Sequence, residues 1–157
     1  MKFFILPVLL SATTALASPI VGTWHCTSSY DINQGNIQIE YLPDGSFSGD
    51  VTVNVNIDDD SNNVLTYHLI STGKWRFENN TLTKSQIEFS DLSRRHSPET
   101  QAWLEKSEDA RSVENMMHSM LNSMMGKATI EDVQQLDKAG NLISEKDGFR
   151  KICTKVK

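Results

Sequence analysis

Apolar and polar residues alternate along most of the first hundred positions, and this period of two is typical of β-strands with one buried face. The clearest run covers residues 47–57, where Val51, Val53 and Val55 share one face and polar residues occupy the other. A helix would not place these valines on one side, because its period is 3.6 residues. Further strand-like runs cover residues 21–30, 37–41, 64–77 and 81–91. The pattern predicts five antiparallel strands in meander order.

Turn-forming residues separate these strands. Pro43 presets φ and Gly45 accepts a positive φ, so the chain can reverse there into a hairpin. The polar run at residues 58–63 links two long strands into a second hairpin. Its aspartates, Asp58 to Asp60, offer oxygen ligands to calcium, but the run lacks the glycine and the terminal glutamate of an EF-hand loop. A solvated hairpin tip is the favoured interpretation, and calcium binding is the alternative.

The period changes after the fifth strand. Ser97 is a favourable N-cap, Pro98 suits the first helical position, and Gly126 can end the last turn. Residues 98–125 are therefore predicted to be helical, with Ser112 as a candidate break between two helices. Strand patterns return at residues 128–136 and 142–156. The helical segment is thus an insertion between strands of one mainly β domain.

The N-terminus has the three regions of a secretory signal peptide. Lys2 precedes an apolar run, and Ala15 and Ala17 form a small-residue cleavage signal. We expect residues 1–17 to be removed, leaving a single domain at residues 18–157 that is secreted or periplasmic. The apolar run is too short to span a bilayer and no second run follows it, so the sequence predicts no membrane span.

An exported chain with two cysteines is expected to pair them, because its compartment is oxidising. Cys26 lies near the start of the mature chain and Cys153 near its end. A bond between them would tie the first strand to the last, and closure of an antiparallel barrel makes those two strands neighbours. A thiolate metal site and a catalytic thiol are the alternatives, but neither cysteine belongs to a Cys-x-x-Cys motif.

Four short motifs resemble those of the small lipocalin-like proteins of the calycin group. They are Gly-x-Trp at residues 22–24, the Pro-Asp-Gly hairpin at 42–47, Gly-Lys-Trp at 73–75 and Asn-Thr-Leu at 80–82. The resemblance covers roughly residues 20–90 and the last strand. It implies a closed antiparallel barrel, or a strongly curved sheet, whose floor is covered by Trp24. It also implies that Arg150 of the last strand lies against that tryptophan.

Charge and motifs argue against several classes of function. The formal net charge is −5 and both signs are interspersed, so the chain has no basic surface for nucleic acid. Its four histidines are scattered, at positions 25, 68, 96 and 118, and no nucleophile or metalloprotease motif accompanies them. The sequence therefore favours a protein that is not an enzyme and that needs no cofactor.

Methionine is concentrated at residues 116–125, which hold five of the six methionines in the chain. On a helix, one apolar stripe combines Met116, Met117, Met120, Leu121 and Met124, with His118 at its edge. Core packing against the sheet is the first interpretation of this stripe. The second is an adaptable surface for an apolar ligand or a protein partner, and the third is soft ligation of Cu(I) or Ag(I) by His118 and Met120.

These features lead to one principal hypothesis and one alternative from a different class. The first is an exported, non-catalytic binding protein that holds a small apolar molecule in a β-barrel. The alternative is a protein-binding accessory or inhibitor module that uses the methionine-rich helix as its interface. A hollow barrel would favour the first hypothesis, and a filled interior would exclude it.

Overall fold

The computed structural model describes residues 18–30, 33–57, 63–129, 131–146 and 148–157, which form nine strands and two helices. The helices, α1 (Pro98–Lys106) and α2 (Glu108–Ser123), lie between the fifth and sixth strands. The predicted mainly β fold with a helical insertion near residues 98–125 is therefore confirmed. The strands are β1 (Gly22–Tyr30), β2 (Asn33–Tyr41), β3 (Ser46–Asn56), β4 (Val64–Glu78), β5 (Thr81–Arg94), β6 (Gly126–Lys127), β7 (Asp132–Leu136), β8 (Leu142–Lys146) and β9 (Phe149–Lys155).

Eight of these strands form a closed antiparallel barrel. β1 to β5 pair in chain order, β7 to β9 continue the sheet from β5, and β9 pairs with β1. β6 pairs with β5 beyond the segment that pairs with β7, so it prolongs the wall without joining the ring. The chain thus leaves β5 for the two helices and returns to the side of the same strand.

A disulfide bond closes the barrel seam between β1 and β9. Cys26 and Cys153 lie directly opposite each other in the two strands, with their Cα atoms 3.9 Å apart. Both side chains are buried, and the predicted pairing is confirmed. Because the bond closes a loop of nearly the whole chain, the chain-entropy model assigns it about 4–5 kcal/mol of stabilisation.

Large apolar side chains fill one end of the barrel, which we call the floor. Trp24 is 1% exposed, and its Nε1 donates a hydrogen bond to the carbonyl oxygen of Ile20 at 2.7 Å. The indole nitrogen is therefore satisfied in a dry environment, as a buried tryptophan requires. The other buried members of this cluster include Ile39, Tyr41, Phe47, Leu82 and Leu142.

The cation that lies against Trp24 is Lys155 and not Arg150, so the expectation for Arg150 was wrong. The Nζ of Lys155 is 5.8 Å from the centroid of the indole ring. The disulfide fixes the register of β9, which places Lys155 opposite Trp24 and Arg150 opposite Ser29. At about 3.3 Å per residue, Arg150 is roughly 16 Å further along the strand, and its side chain is exposed.

Two serine caps define the helices. Ser97 caps α1 by accepting a hydrogen bond from the backbone N–H of Thr100 at 3.1 Å, and Pro98 occupies the first turn, as predicted. Ser107 caps α2 in the same way, through the N–H of Ala110 at 3.1 Å. The break between the helices therefore falls at Ser107 and not at Ser112. Two acidic residues follow Ser107 in the first turn of α2, where they favour a helix start.

Two predictions concern residues outside the described ranges. The signal peptide at residues 1–17 and the calcium alternative at 58–60 lie there, and both stay predictions. Among the described helices, none combines the length and the apolar character needed to cross a membrane.

Candidate functional site

A cavity of about 970 Å³ lies inside the barrel above the floor. This volume is at the upper end of the range of roughly 300–1,000 Å³ for small-molecule sites. Leu121 of α2 contributes to its lining, as do Met124 and Met125 just after this helix. The apolar residues from the strands include Ile37, Val51, Leu69, Ile87 and Phe89.

The cavity exists because inward-facing side chains become smaller above the floor. On β3, Phe47 belongs to the floor, whereas Gly49 and Val51 follow it on the same face. On the neighbouring strand, Ser71 lies directly opposite Gly49. A glycine, a valine and a serine in place of further aromatic rings leave the middle of the barrel hollow.

Three charged side chains meet in the cavity wall, and we call them the lysine cluster: Lys84 on β5, Asp132 on β7 and Lys151 on β9. The Nζ of Lys84 is 2.6 Å from Oδ2 of Asp132, and the Nζ of Lys151 donates to the same oxygen. Both lysines are buried, with exposed fractions of 8% and 6%. Gln134 also donates to this Oδ2, at 3.1 Å.

The charges of the lysine cluster change the pKa values of two of its members. Burial by itself would raise the pKa of Asp132, but the charges of Lys84 and Lys151 outweigh burial and hold that pKa well below its usual range. Burial, reinforced by the charge of Lys84, lowers the pKa of Lys151 to about 8 against the opposing effect of Asp132. Asp132 is therefore an ionised carboxylate at neutral pH. Lys151 carries the less favourable of the two positive charges, because its pKa is lowered.

A tyrosine next to the lysine cluster has an unsatisfied hydroxyl group. Tyr41 is 1% exposed, and its hydroxyl has no hydrogen-bond partner in the described part of the chain. Burial, together with the carboxylate of Asp132, raises the pKa of this hydroxyl. Tyr41 is therefore a neutral donor. An unpaired buried polar group costs about 1–3 kcal/mol.

A second polar cluster fixes α2 to the barrel, and its centre is Glu114. This carboxylate accepts hydrogen bonds from Nε of Arg94 at 2.7 Å and from the hydroxyl of Tyr67 at 3.2 Å. Nε2 of His96 lies 3.3 Å from the same Oε1, while Nδ1 of His96 accepts from the N–H of Thr66. Burial would raise the pKa of Glu114, but the hydrogen bonds from Arg94 and His96 outweigh burial and lower it.

The methionine-rich segment is divided between two faces of α2. Met117 and Leu121 pack with Tyr67 and Val55 against the upper end of the barrel. Met116, Met120 and Met124, by contrast, are 63%, 50% and 56% exposed. The prediction of one apolar stripe that faces the sheet is therefore wrong. The buried face of α2 includes Glu114, a charged residue that a hydrophobic pattern would assign to solvent.

The weak metal candidates do not form an evident site in the described residues. The half-buried ring of His118 lies 6.3 Å from the ring of Tyr67, and Met120 is half exposed. His96 contacts the same tyrosine, with ring centroids 5.2 Å apart. Within the part of the chain that the structure describes, no three histidine, cysteine or acidic side chains converge to hold a metal ion.

The charged residues of the cavity were missed at the sequence level. Lys84, Asp132 and Lys151 were not among the predicted site residues, although Lys151 shares a strand face with Cys153 and Lys84 shares one with Leu82. Cys153 and Leu82 are buried in the interior, so the alternation along their strands also places Lys151 and Lys84 there. The predicted ligand or partner residues are brought to the cavity only in part, through Leu121 and Met124.

An eight-stranded closed barrel with a cavity above its floor places the protein in the class of antiparallel β-barrels, which is consistent with the resemblance to lipocalin-like proteins. The family model of the trans-membrane regulatory protein ToxS matches residues 27–118, which are more than half of the chain. The chain therefore belongs to the ToxS family. Asp132 and Lys151 lie outside the matched region, on the strands that complete the barrel. No match was found among curated proteins.

Proposed function

We propose that this protein is an exported, non-catalytic accessory protein that holds a small apolar molecule in its barrel. The cavity of about 970 Å³ carries this proposal, because apolar side chains form most of its lining. Sites for small molecules have this composition, in which apolar side chains supply affinity and a few polar groups orient the ligand.

The family name supports a regulatory role. The matching model is described as a trans-membrane regulatory protein, and we propose that the present chain likewise acts in regulation together with a protein partner. Ligand occupancy of the barrel would then be the signal that the partner detects. A protein that binds and reports in this way needs no catalytic groups, which agrees with the sequence-based expectation that it is not an enzyme.

Two observations support export. The disulfide between Cys26 and Cys153 requires an oxidising compartment in most organisms. The N-terminal sequence also has the form of a signal peptide ending at Ala17. We propose that the mature chain is periplasmic or secreted and begins at Ser18.

The test of ligand binding uses N-phenyl-1-naphthylamine, a neutral apolar probe whose fluorescence rises in a dry site. We expect saturable binding to one site per chain. Val51→Trp places a large ring in the cavity and should weaken binding about tenfold or more, equivalent to about 1.4 kcal/mol. Ser48→Trp is the matched control, because Ser48 is exposed on the outer face of the same strand.

The control also separates a blocked cavity from a damaged fold. Both tryptophan variants should keep the circular dichroism spectrum of the native barrel, since overpacking costs only about 1–3 kcal/mol. Equal probe affinity in the native protein and in Val51→Trp would contradict binding inside the barrel.

The exposed methionines favour a second candidate function, which is direct contact between α2 and a protein partner. Methionine adapts its shape to varied apolar surfaces and is frequent in such contacts. A photo-crosslinking amino acid at position 120, introduced in the native host, should give one discrete crosslinked product. The same residue in place of Gln38, which is exposed on the barrel wall, should give none. The same product at both positions would contradict a specific contact by α2.

A further inference from the structure

The reduced sulfur of the expected mature chain lies in one ten-residue segment. Methionine occurs at positions 116, 117, 120, 124 and 125, and the sixth methionine is Met1 of the predicted signal peptide. The two cysteines offer no thiol, because Cys26 and Cys153 form the buried disulfide. An oxidant that reacts with reduced sulfur therefore meets it only in α2 and just after this helix.

Three of these methionines form an exposed face, which we call the methionine face. Met116 and Met120 belong to α2, and Met124 is the C-cap residue of this helix. They follow one another at intervals of four residues, so their side chains are neighbours on one side of the helix. All three are at least half exposed, and they make up half of the six large apolar side chains that the described residues expose. Exposed apolar surface is thus concentrated on this face.

Met117 differs from the methionine face in its surroundings. It is half-buried and packs with Val55, Tyr67 and Leu121 against the barrel. Oxidation adds a polar oxygen to a thioether, and a polar group in an apolar contact is costly. This cost does not arise on the exposed face, where water surrounds the new oxygen. Oxidation should therefore begin at the methionine face and reach Met117 later.

The contacts that hold α2 in place do not involve the sulfur of the methionine face. The Glu114 carboxylate anchors the helix through Arg94 and the hydroxyl of Tyr67. Ser107 caps its first turn. These groups contain no sulfur and lie apart from the exposed face. Oxidation of the methionine face should therefore change the polarity of the surface without releasing the helix.

We propose that the methionine face is a modification site, at which a two-electron oxidant of the hypochlorous acid class converts the thioethers into sulfoxides. The sulfur lone pair attacks the chlorine atom and displaces hydroxide, and a water molecule then adds its oxygen to sulfur as chloride leaves. Sulfur loses two electrons, chlorine gains them, and the net products are the sulfoxide, chloride and one proton. Methionine sulfoxide reductases reverse the change, so the face alternates between an apolar and a polar form. This inference goes beyond the proposed function, because it requires no ligand in the barrel.

The first test maps the order of oxidation in the full mature protein. Hypochlorous acid is added in steps up to about three equivalents, one for each methionine of the face. Trypsin then releases residues 112–127 as one peptide, and its fragmentation locates each sulfoxide. We expect a mass gain of about 48 Da, from one oxygen at each of the three exposed positions, with an unchanged circular dichroism spectrum. Modification of Met117 as early as Met116, or loss of the native spectrum at this stage, overturns the inference.

The second test measures the polarity of the surface. The oxidised protein should elute earlier than the native protein from a phenyl column in the same gradient of ammonium sulfate. Treatment with both methionine sulfoxide reductases, one for each sulfoxide epimer, should restore the native elution. Unchanged elution after the three oxygen additions overturns the inference.

Leucine variants assign the effect to the methionine face. The triple variant Met116→Leu, Met120→Leu, Met124→Leu keeps apolar side chains of similar volume without sulfur, so its elution should stay the same after the oxidant. Met117→Leu is the matched control and should show the native shift in elution. Met116→Leu alone is a milder check, since its mass gain should fall to about 32 Da. An equal shift in elution in the triple variant and the native protein, or a full gain of about 48 Da in Met116→Leu, overturns the assignment.

Discussion

Removal of the Glu114 carboxylate tests how α2 is held over the barrel. In Glu114→Ala, the guanidinium of Arg94, the hydroxyl of Tyr67 and Nε2 of His96 lose their common acceptor. Deleting one partner of a fully buried ion pair costs about 3–5 kcal/mol. The side chain of Arg94 is 45% exposed, however, so water can solvate it again. We therefore expect a loss of about 2–3 kcal/mol in the free energy of unfolding.

The assay is urea denaturation of the mature protein, combined with hydrogen exchange along α2. The loss of stability should be accompanied by faster exchange in α2 than in β1 and β9, because the cluster links this helix to β4 and β5. Glu105→Ala is the control, since Glu105 is exposed on α1 and its removal should change stability by about 0.5 kcal/mol or less. Equal stability of Glu114→Ala and Glu105→Ala would refute the anchoring role.

The same carboxylate predicts a pH dependence. The folded-state pKa of Glu114 is lowered, because the hydrogen bonds from Arg94 and His96 outweigh burial. Its contribution to stability is therefore complete above the unfolded pKa of about 4.3 and is lost as the pH falls through the folded value. Glu114→Gln keeps the shape but cannot titrate, so this part of the loss of stability in acid should be absent in that variant.

Three further predictions concern stability and processing. The exported protein should begin at Ser18 and be two hydrogen masses lighter than its reduced form, and two free thiols in intact mass spectrometry would exclude the bond. Cys153→Ser should lower the free energy of unfolding by up to about 4–5 kcal/mol with little change in β content. Trp24→Ala should cost about 3–5 kcal/mol in urea denaturation, and a fully stable variant would exclude its place in the floor. Met117→Ala should cost about 2 kcal/mol, whereas the exposed Met116→Ala should cost about 0.5 kcal/mol or less; equal losses would contradict their different burial.

Alternation of apolar and polar residues predicted the five strands before the helices, although β2 begins at Asn33 and not at residue 37. It did not separate β6 from β7. The run at residues 47–57 forms β3 almost as expected, because one face of this strand packs on the interior and the other is wet. The cysteines predicted the seam, since only neighbouring strands can place two Cα atoms 3.9 Å apart. The register that follows from this seam places Lys155 opposite Trp24 and excludes Arg150.

The inward lysine on β5 was hidden by a change of phase along that strand. Leu82 and Lys84 face the interior at even positions, whereas Ile87 and Phe89 do so at odd positions. Gln86 lies between them with φ of 51°, a left-handed conformation typical of a bulge. Alternation counted back from Ile87 therefore assigns Lys84 to solvent. No pattern of single residues predicts such a bulge, because it depends on how β5 pairs with both of its neighbours.

Buried Glu114 and half-buried Asp132 have different roles because their charges are balanced differently. Glu114 is paired with one arginine, and the neutral hydroxyl of Tyr67 fills a further acceptor position, so this cluster is complete and serves to hold α2. Asp132 is shared by two buried lysines, and the hydroxyl of Tyr41 nearby has no partner in the described residues. The Glu114 cluster therefore serves the packing of α2. The lysine cluster, in which two buried ammonium groups share one carboxylate, lies in the wall of a mainly apolar cavity and supplies buried polar groups to its lining.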